Sequence, residues 1–170
     1  GRGDYPIAQA LSEDLLELVQ QEHDPALFVE AHYSLGTVLF WRGEFVAARP
    51  HLTQAFTHDT SQHVPTQISL YGTASGLLAR RYASLALGAL GYLDQAKQHL
   101  QEVLTQAQEL AHPLSWGQTL VNAGIFHHLQ RQAPITQERT EALITLCMEK
   151  DLLVVATAGM VLRGWALVAQ

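Results

Sequence analysis

The feature that most constrains this chain is a pair of amphipathic stretches broken at Arg42-Gly43. Leu27, Ala31, Leu35, Val38 and Leu39 recur at helical spacing before the break, and Phe45, Ala48, Leu52, Ala55 and Phe56 recur after it. Apolar residues three and four apart gather on one face only in a helix. The break therefore predicts a helix-turn-helix unit. Its small residues, Gly36, Ala48 and Ala55, fall where the two helix axes would cross most closely.

With Gly43 as the turn marker, the same punctuation recurs along the chain. Gly3, followed by Asp4-Tyr5, lies 40 residues earlier, and Gly91, followed by Tyr92-Leu93, lies 48 residues later. The break at Arg131 is 40 residues beyond Gly91, and another 40 would fall at position 171, one past the last residue. The period is thus about 40, with an insertion of about eight. Residues 57–72 take that insertion, because they are polar, contain Pro65 and lack a sustained helical period. The register aligns Gly36, Ser84, Gly124 and Gly164 in the first helices, and Ala8, Ala48, Ala96 and Thr136 in the second.

Leu35-Gly36, Leu39, Gly43, Phe45, Ala48, Leu52 and Ala55 resemble the signature of a tetratricopeptide (TPR) repeat. The resemblance implies an all-α fold: a TPR-like right-handed α-solenoid of antiparallel helix pairs, about eight helices in a single repeat domain over residues 1–170. The alternative is an irregular helical bundle, since small residues recur in any Ala-rich helical chain.

Composition narrows the class. Hydrophobic residues make up 48% and charged residues 15%, which excludes a disordered chain. No apolar run reaches the roughly 18 residues of a membrane span; the richest, 152–169, is interrupted by Arg163. There is no signal-peptide layout at the N-terminus, and the single Cys147 allows no internal disulfide, so a cytoplasmic location is expected. Net charge is −6 with ten scattered basic residues, which gives nucleic acid no clustered basic face.

In chain order, the first helix is expected over residues 4–22 with Ile7, Ala8, Leu11, Leu15, Leu18 and Val19 inward. Residues 1–4 then read as the remnant of a turn, and Arg2-Gly3-Asp4 as a chance tripeptide. Asp24 should cap the next helix with Pro25 at its first position. Glu44 should begin a helix to about His58 that contains Pro50. Thr73 or Ser75 caps a helix reaching Gly91, and Asp94 starts one to about Ala111. His112-Pro113 turns into a helix ending near Gln130, Thr136 opens one to Lys150, and Asp151 caps the last.

The phrases LGTVLFWRGEFVAARPHL, YASLALGALGYLDQA, ELAHPLSWGQTL and VLRGWALV look like the C-terminal TPR-like region of large bacterial signalling proteins. In those proteins a STAND-type ATPase module precedes the repeats, with a class III adenylate or guanylate cyclase or a DNA-binding regulator at the far N-terminus. The resemblance implies a scaffold or sensor arm that controls an output part elsewhere. Arg131 departs from it where Gly is usual, and Thr136 and Thr140 replace a small and a bulky apolar residue.

Motifs for chemistry are missing. The chain has no GxxxxGK[ST] loop, GxGxxG or GxSxG, so no cofactor or catalytic residue is expected. The nine histidines include no pair three or four apart on one helix face, and a metal site assembled around His99, His112 and His128 is the minor reading. Cys147, among Leu143, Leu146 and Met148, reads as a buried inert thiol. Glu13-Asp14 and Glu138/Glu141 read as solvated carboxylates.

The positive signal is the first-helix face that lines the groove in TPR proteins. The register assigns it Glu30, Tyr33, Thr37, Phe40, Trp41, Arg81, Leu85, Gln118, Val121, Ile125 and His128. Aromatic and Arg side chains there suit a protein or peptide partner, or a small ligand walled by Tyr33, Trp41 and Arg81. Arg81 is expected to be solvent-facing. The last helix carries apolar residues on more than one face, including Leu153, Met160, Trp165 and Val168, and only one face can pack on the preceding repeat. The chain thus reads as a fragment of a longer solenoid that self-associates through this helix.

Overall fold

The structure is a computed structural model that describes residues 4–22 and 24–170. Nine α-helices and no strand occur among the described residues. They are α1 (Tyr5–Glu22), α2 (Pro25–Trp41), α3 (Phe45–His58), α4 (Val64–Tyr71), α5 (Ser75–Ala89), α6 (Leu93–Glu109), α7 (Pro113–Leu129), α8 (Ala133–Glu149) and α9 (Leu153–Val168). None of these helices is long and apolar enough to cross a membrane. The fold is all-α.

One turn recurs. Gly43, Gly91, Ala111, Arg131 and Asp151 each stand just past a helix C-terminus with φ between 52° and 86°. At Gly43 the glycine N–H donates to the Phe40 carbonyl and the Glu44 N–H to the Leu39 carbonyl, both at 2.9 Å. Those two bonds satisfy carbonyls that the helix end leaves orphaned. The same pair closes α5 (Gly91 to Gly88, Tyr92 to Leu87) and α7 (Arg131 to His128, Gln132 to His127). From Gly91 onward the left-handed residue returns every 20 residues, at 91, 111, 131 and 151. Two such steps make the 40-residue period. The turn expected at Gly3 lies outside the described residues, as do Arg2 and Gly3 of the tripeptide.

Several local expectations are corrected. The insertion is itself helical: α4 occupies Val64–Tyr71 and ends on Gly72 at φ 75°. Neither Thr73 nor Ser75 caps α5; its N-cap is Ala74, which makes no side-chain bond. The first N–H of α5 is met from outside, by the Gln67 side-chain carbonyl on Ser75 N–H at 3.1 Å. Helix α8 starts at Ala133, three residues before Thr136. Asp151 takes the left-handed turn position, and Leu152 is the N-cap of α9. Asp24 does cap α2, accepting from the Ala26 and Leu27 N–H groups, with Pro25 in the first turn.

The chain divides into two compact units, residues 1–99 and 100–170, with the break inside α6. In the first unit α1 packs on α2, α2 on α3 and α5, and α3 on α5. Contacts Phe40–Phe45, Gly36–Leu52 and Phe28–His58 run in opposite senses along α2 and α3, so this pair is an antiparallel hairpin. Glu30–Ser75 and Phe40–Tyr82 run in the same sense, so α5 lies parallel to α2. Val29, Leu35, Leu39, Ala48, Leu52, Ala55, Ala79 and Ala83 form the core. A Cβ on Gly36 would stand 2.8 Å from Leu52 Cγ, so α3 approaches α2 at its glycine. Helix α1 turns Ser12 and Val19 inward, whereas Ile7, Leu11 and Leu18 are exposed, against the expected inner face.

The second unit repeats the scheme. Gly124 lies against Thr140 and Gly159 against Leu143, making α7–α8 and α8–α9 neighbours. Gly117–Val155, Gly124–Leu162 and His128–Trp165 keep an offset near 38, so α9 runs parallel to α7. Thr136 and Thr140, the two departures from the repeat pattern, are fully buried. Their hydroxyls donate to the carbonyls four residues back, Gln132 at 3.0 Å and Thr136 at 2.8 Å. A threonine whose hydroxyl is satisfied within its own helix packs as a small β-branched apolar residue.

Candidate functional site

Parallel stacking of α2 and α5 gathers the first unit's share of the expected groove. Glu30, Tyr33, Thr37 and Trp41 follow one another at three- and four-residue steps on α2, and Arg81 comes from α5. Tyr82, which sequence reasoning missed, completes the cluster. Its ring lies 5.1 Å from Phe40 and 6.1 Å from Trp41, and Phe40 meets Trp41 edge-on at 5.5 Å. Trp41 remains 57% exposed at the rim. Phe40, Tyr33 and Tyr82 pack against the core cluster. No local signal marked Tyr82: its place beside Phe40 and Trp41 depends on α5 stacking parallel on α2.

The electrostatics fix what this cluster can do. Burial pushes the Tyr33 phenol up to about 12, and the nearby Tyr82 adds to that; Arg81 and Thr37 pull the other way. Burial pushes the Arg81 guanidinium down to about 10, opposed by Tyr82 and Tyr33. At neutral pH the cluster is therefore a protonated tyrosine beside a cationic arginine with little water around it. Arg81 is half-buried, with its Nε shut off from solvent, rather than freely solvent-facing as the register suggests. Leu85 is buried in the core and cannot line an open groove.

Glu30 is likewise committed. Its carboxylate accepts from the Ser75 hydroxyl at 2.6 Å, and burial, with Asp59 nearby, raises its pKa despite that bond. Asp59 accepts from Gln67 Nε2 at 3.0 Å and from the Gly76 and Thr60 N–H groups, with His63 at 3.7 Å. A Cβ on Gly76 would collide with the Asp59 carboxylate. The insertion thus supplies the caps that α5 lacks locally, and Glu30 holds the same helix start from α2. These acids are structural ties.

In the second unit Gln118, Val121, Ile125 and His128 share one half-buried face of α7. The His128 ring stands edge-on to Trp165 at 4.2 Å. That contact half-buries Trp165, whereas Leu153, Met160 and Val168 are exposed. His112 acts as an N-cap, its Nδ1 accepting from the Ser115 N–H. Cys147 is fully buried, and burial raises its thiol pKa.

No protein-family model matches the chain, and no curated protein matches it.

No group of three or more possible metal ligands occurs among the described residues. One histidine pair escaped sequence reasoning: His32 on α2 and His51 on α3 bring their Nδ1 atoms to 3.1 Å. They stand 19 residues apart, so no local spacing reveals them.

Proposed function

We propose that this chain is a non-catalytic interaction and sensor module, a TPR-like arm that receives a protein or peptide on the face built by α2 and α5. The observation that carries this reading is the convergence of Tyr33, Thr37, Phe40, Trp41 and Tyr82 around Arg81. Aromatic side chains held by their neighbours offer large contact area at little entropic cost, and aromatic and arginine residues dominate binding energy at protein interfaces. The recurring turn and the parallel stacking of α2 with α5 support a helical-repeat scaffold, whose units present such faces side by side. The module works in the cytoplasm, joined to an ATPase, cyclase or DNA-binding output part, as the family resemblance implies. The apolar face of α9 serves self-association.

Phage-displayed peptides selected on the purified chain, rescreened against Trp41→Ala, test the reading. Trp41 is exposed, so the variant should keep its thermal midpoint while the selected peptides weaken about tenfold or more. Selected peptides that bind the variant unchanged, or a library that yields none above background, would overturn it.

A further inference from the structure

Val46, Arg49, Pro50, Thr53 and Gln54 of α3 form a cleft with Leu90 and Tyr92, which flank the turn between α5 and α6. Its volume is about 560 Å³, within the range of ligand pockets. Two features give it a definite chemistry. The Arg49 guanidinium lies over the Tyr92 ring, 5.6 Å from its centroid, and has no carboxylate partner among the described residues. No acidic residue lines the cleft, although the chain carries 16 acids against ten bases. An unpaired cation held by an aromatic ring in an acidic protein favours an anionic guest.

The second feature is Pro50, inside α3. Proline has no N–H, so the Val46 carbonyl loses the donor that residue 50 would otherwise supply. Val46 and Pro50 both line the cleft, so this acceptor lies at its wall. Val46, Pro50 and Leu90 add apolar surface beside it.

We propose that this cleft is a second binding site, which takes a short acidic peptide segment. A Glu or Asp carboxylate of the peptide pairs with Arg49, a peptide N–H donates to the Val46 carbonyl, and an apolar side chain rests on Val46, Pro50 and Leu90. The site shares none of its lining residues with the Tyr33–Arg81 cluster, so it stands or falls independently of the function proposed above.

Amide chemical-shift titration of the full chain with N-acetyl-Leu-Glu-amide, and with N-acetyl-Leu-Gln-amide as the uncharged control, tests it. Saturable shifts are expected at Thr53, Gln54 and Tyr92, with the Gln probe about tenfold weaker. Arg49→Gln should erase the difference between the two probes without moving the thermal midpoint, since Arg49 is exposed. Pro50→Ala restores a donor to the Val46 carbonyl and should weaken both probes while raising stability. Absence of localised shifts at about 10 mM probe, equal response to the two probes, or a response that survives Arg49→Gln would each overturn the proposal.

Discussion

Arg81 shows how far a single residue can depart from its place in a repeat register. On an open groove wall, reversing its charge would cost about 0.5 kcal/mol or less. Partial burial beside Tyr33 and Tyr82 raises that cost, because a carboxylate there would be desolvated next to two phenols. Arg81→Glu should therefore lower stability by about 3 kcal/mol or more, read as a shift in the urea midpoint. A midpoint within error of the wild type would show a solvent-screened side chain. The turns supply a second residue-scale prediction. Ala111 holds φ 52°, which costs an L-residue about 1–2 kcal/mol, and its side chain is exposed. Ala111→Gly should raise stability by about 0.5–1 kcal/mol after the added flexibility of the unfolded chain is subtracted. A loss of stability would mean that the methyl group makes a contact worth more than the strain.

At the scale of elements, the α2–α3 hairpin carries a proton-sensitive seam. His32 and His51 meet at 3.1 Å, with Phe28 packed on both His32 and His58. Burial, then the neighbouring His51 and His58, holds the His32 imidazole down at about 4; burial also lowers His51, with Glu13 of α1 opposing. An unfolded histidine takes up its proton near pH 6.5, and these two resist doing so while folded. Their stabilising contribution is therefore complete above about pH 6.5 and is lost as the pH falls through 6.5 towards 4. Glu30 and Asp59 work in the opposite sense. Their folded pKa values are raised, so their contribution is present at low pH and is lost as the pH rises through the raised value. The comparison must isolate the histidines. Between about pH 7 and pH 5 the wild type should lose more stability than a His32→Asn/His51→Asn variant, measured by urea unfolding at each pH. Parallel curves would show that the pair does not set the pH response.

At the scale of the whole molecule, α9 presents an exposed apolar face. Leu153, Val154, Met160, Val161, Leu167 and Val168 are all exposed, Val161 at 74% and Val168 at 89%. Gly164, on the same helix, has open space where a Cβ would go, whereas its register equivalents Gly36 and Gly124 are covered by Leu52 and by Thr140 and Leu162. Burying three such side chains would be worth roughly 4–9 kcal/mol before association costs are subtracted. The chain should therefore self-associate as its concentration rises, most simply as a two-fold dimer. Met160→Glu should return it to monomer in sedimentation equilibrium with little loss of stability, because Met160 is exposed. A wild type that stays monomeric across the accessible range would refute this use of the face.

What the sequence alone determined is local and periodic. Apolar spacing set the helices, Gly43 and Gly91 set two of the turns, and the 40-residue register placed Ala48, Ala96 and Thr136 at fully buried positions. These follow from short-range sterics and from the helical period, both of which a linear string carries. Tertiary structure decided the rest. Ala111, Arg131 and Asp151 adopt the left-handed turn because packing of the flanking helices outweighs their preference against it. The insertion became a helix over Val64–Tyr71, and its Asp59 and Gln67 became ties to the start of α5, because Ser75 has no local partner for its N–H. Ile7, Leu11 and Leu18 turned outward because an apolar helix offers more than one possible inner face, and packing on α2 selected another. The cluster around Arg81, the His32–His51 seam and the cleft lined by Arg49 each join residues distant in the chain. Their chemistry depends on distance in space, which spacing along the chain does not encode.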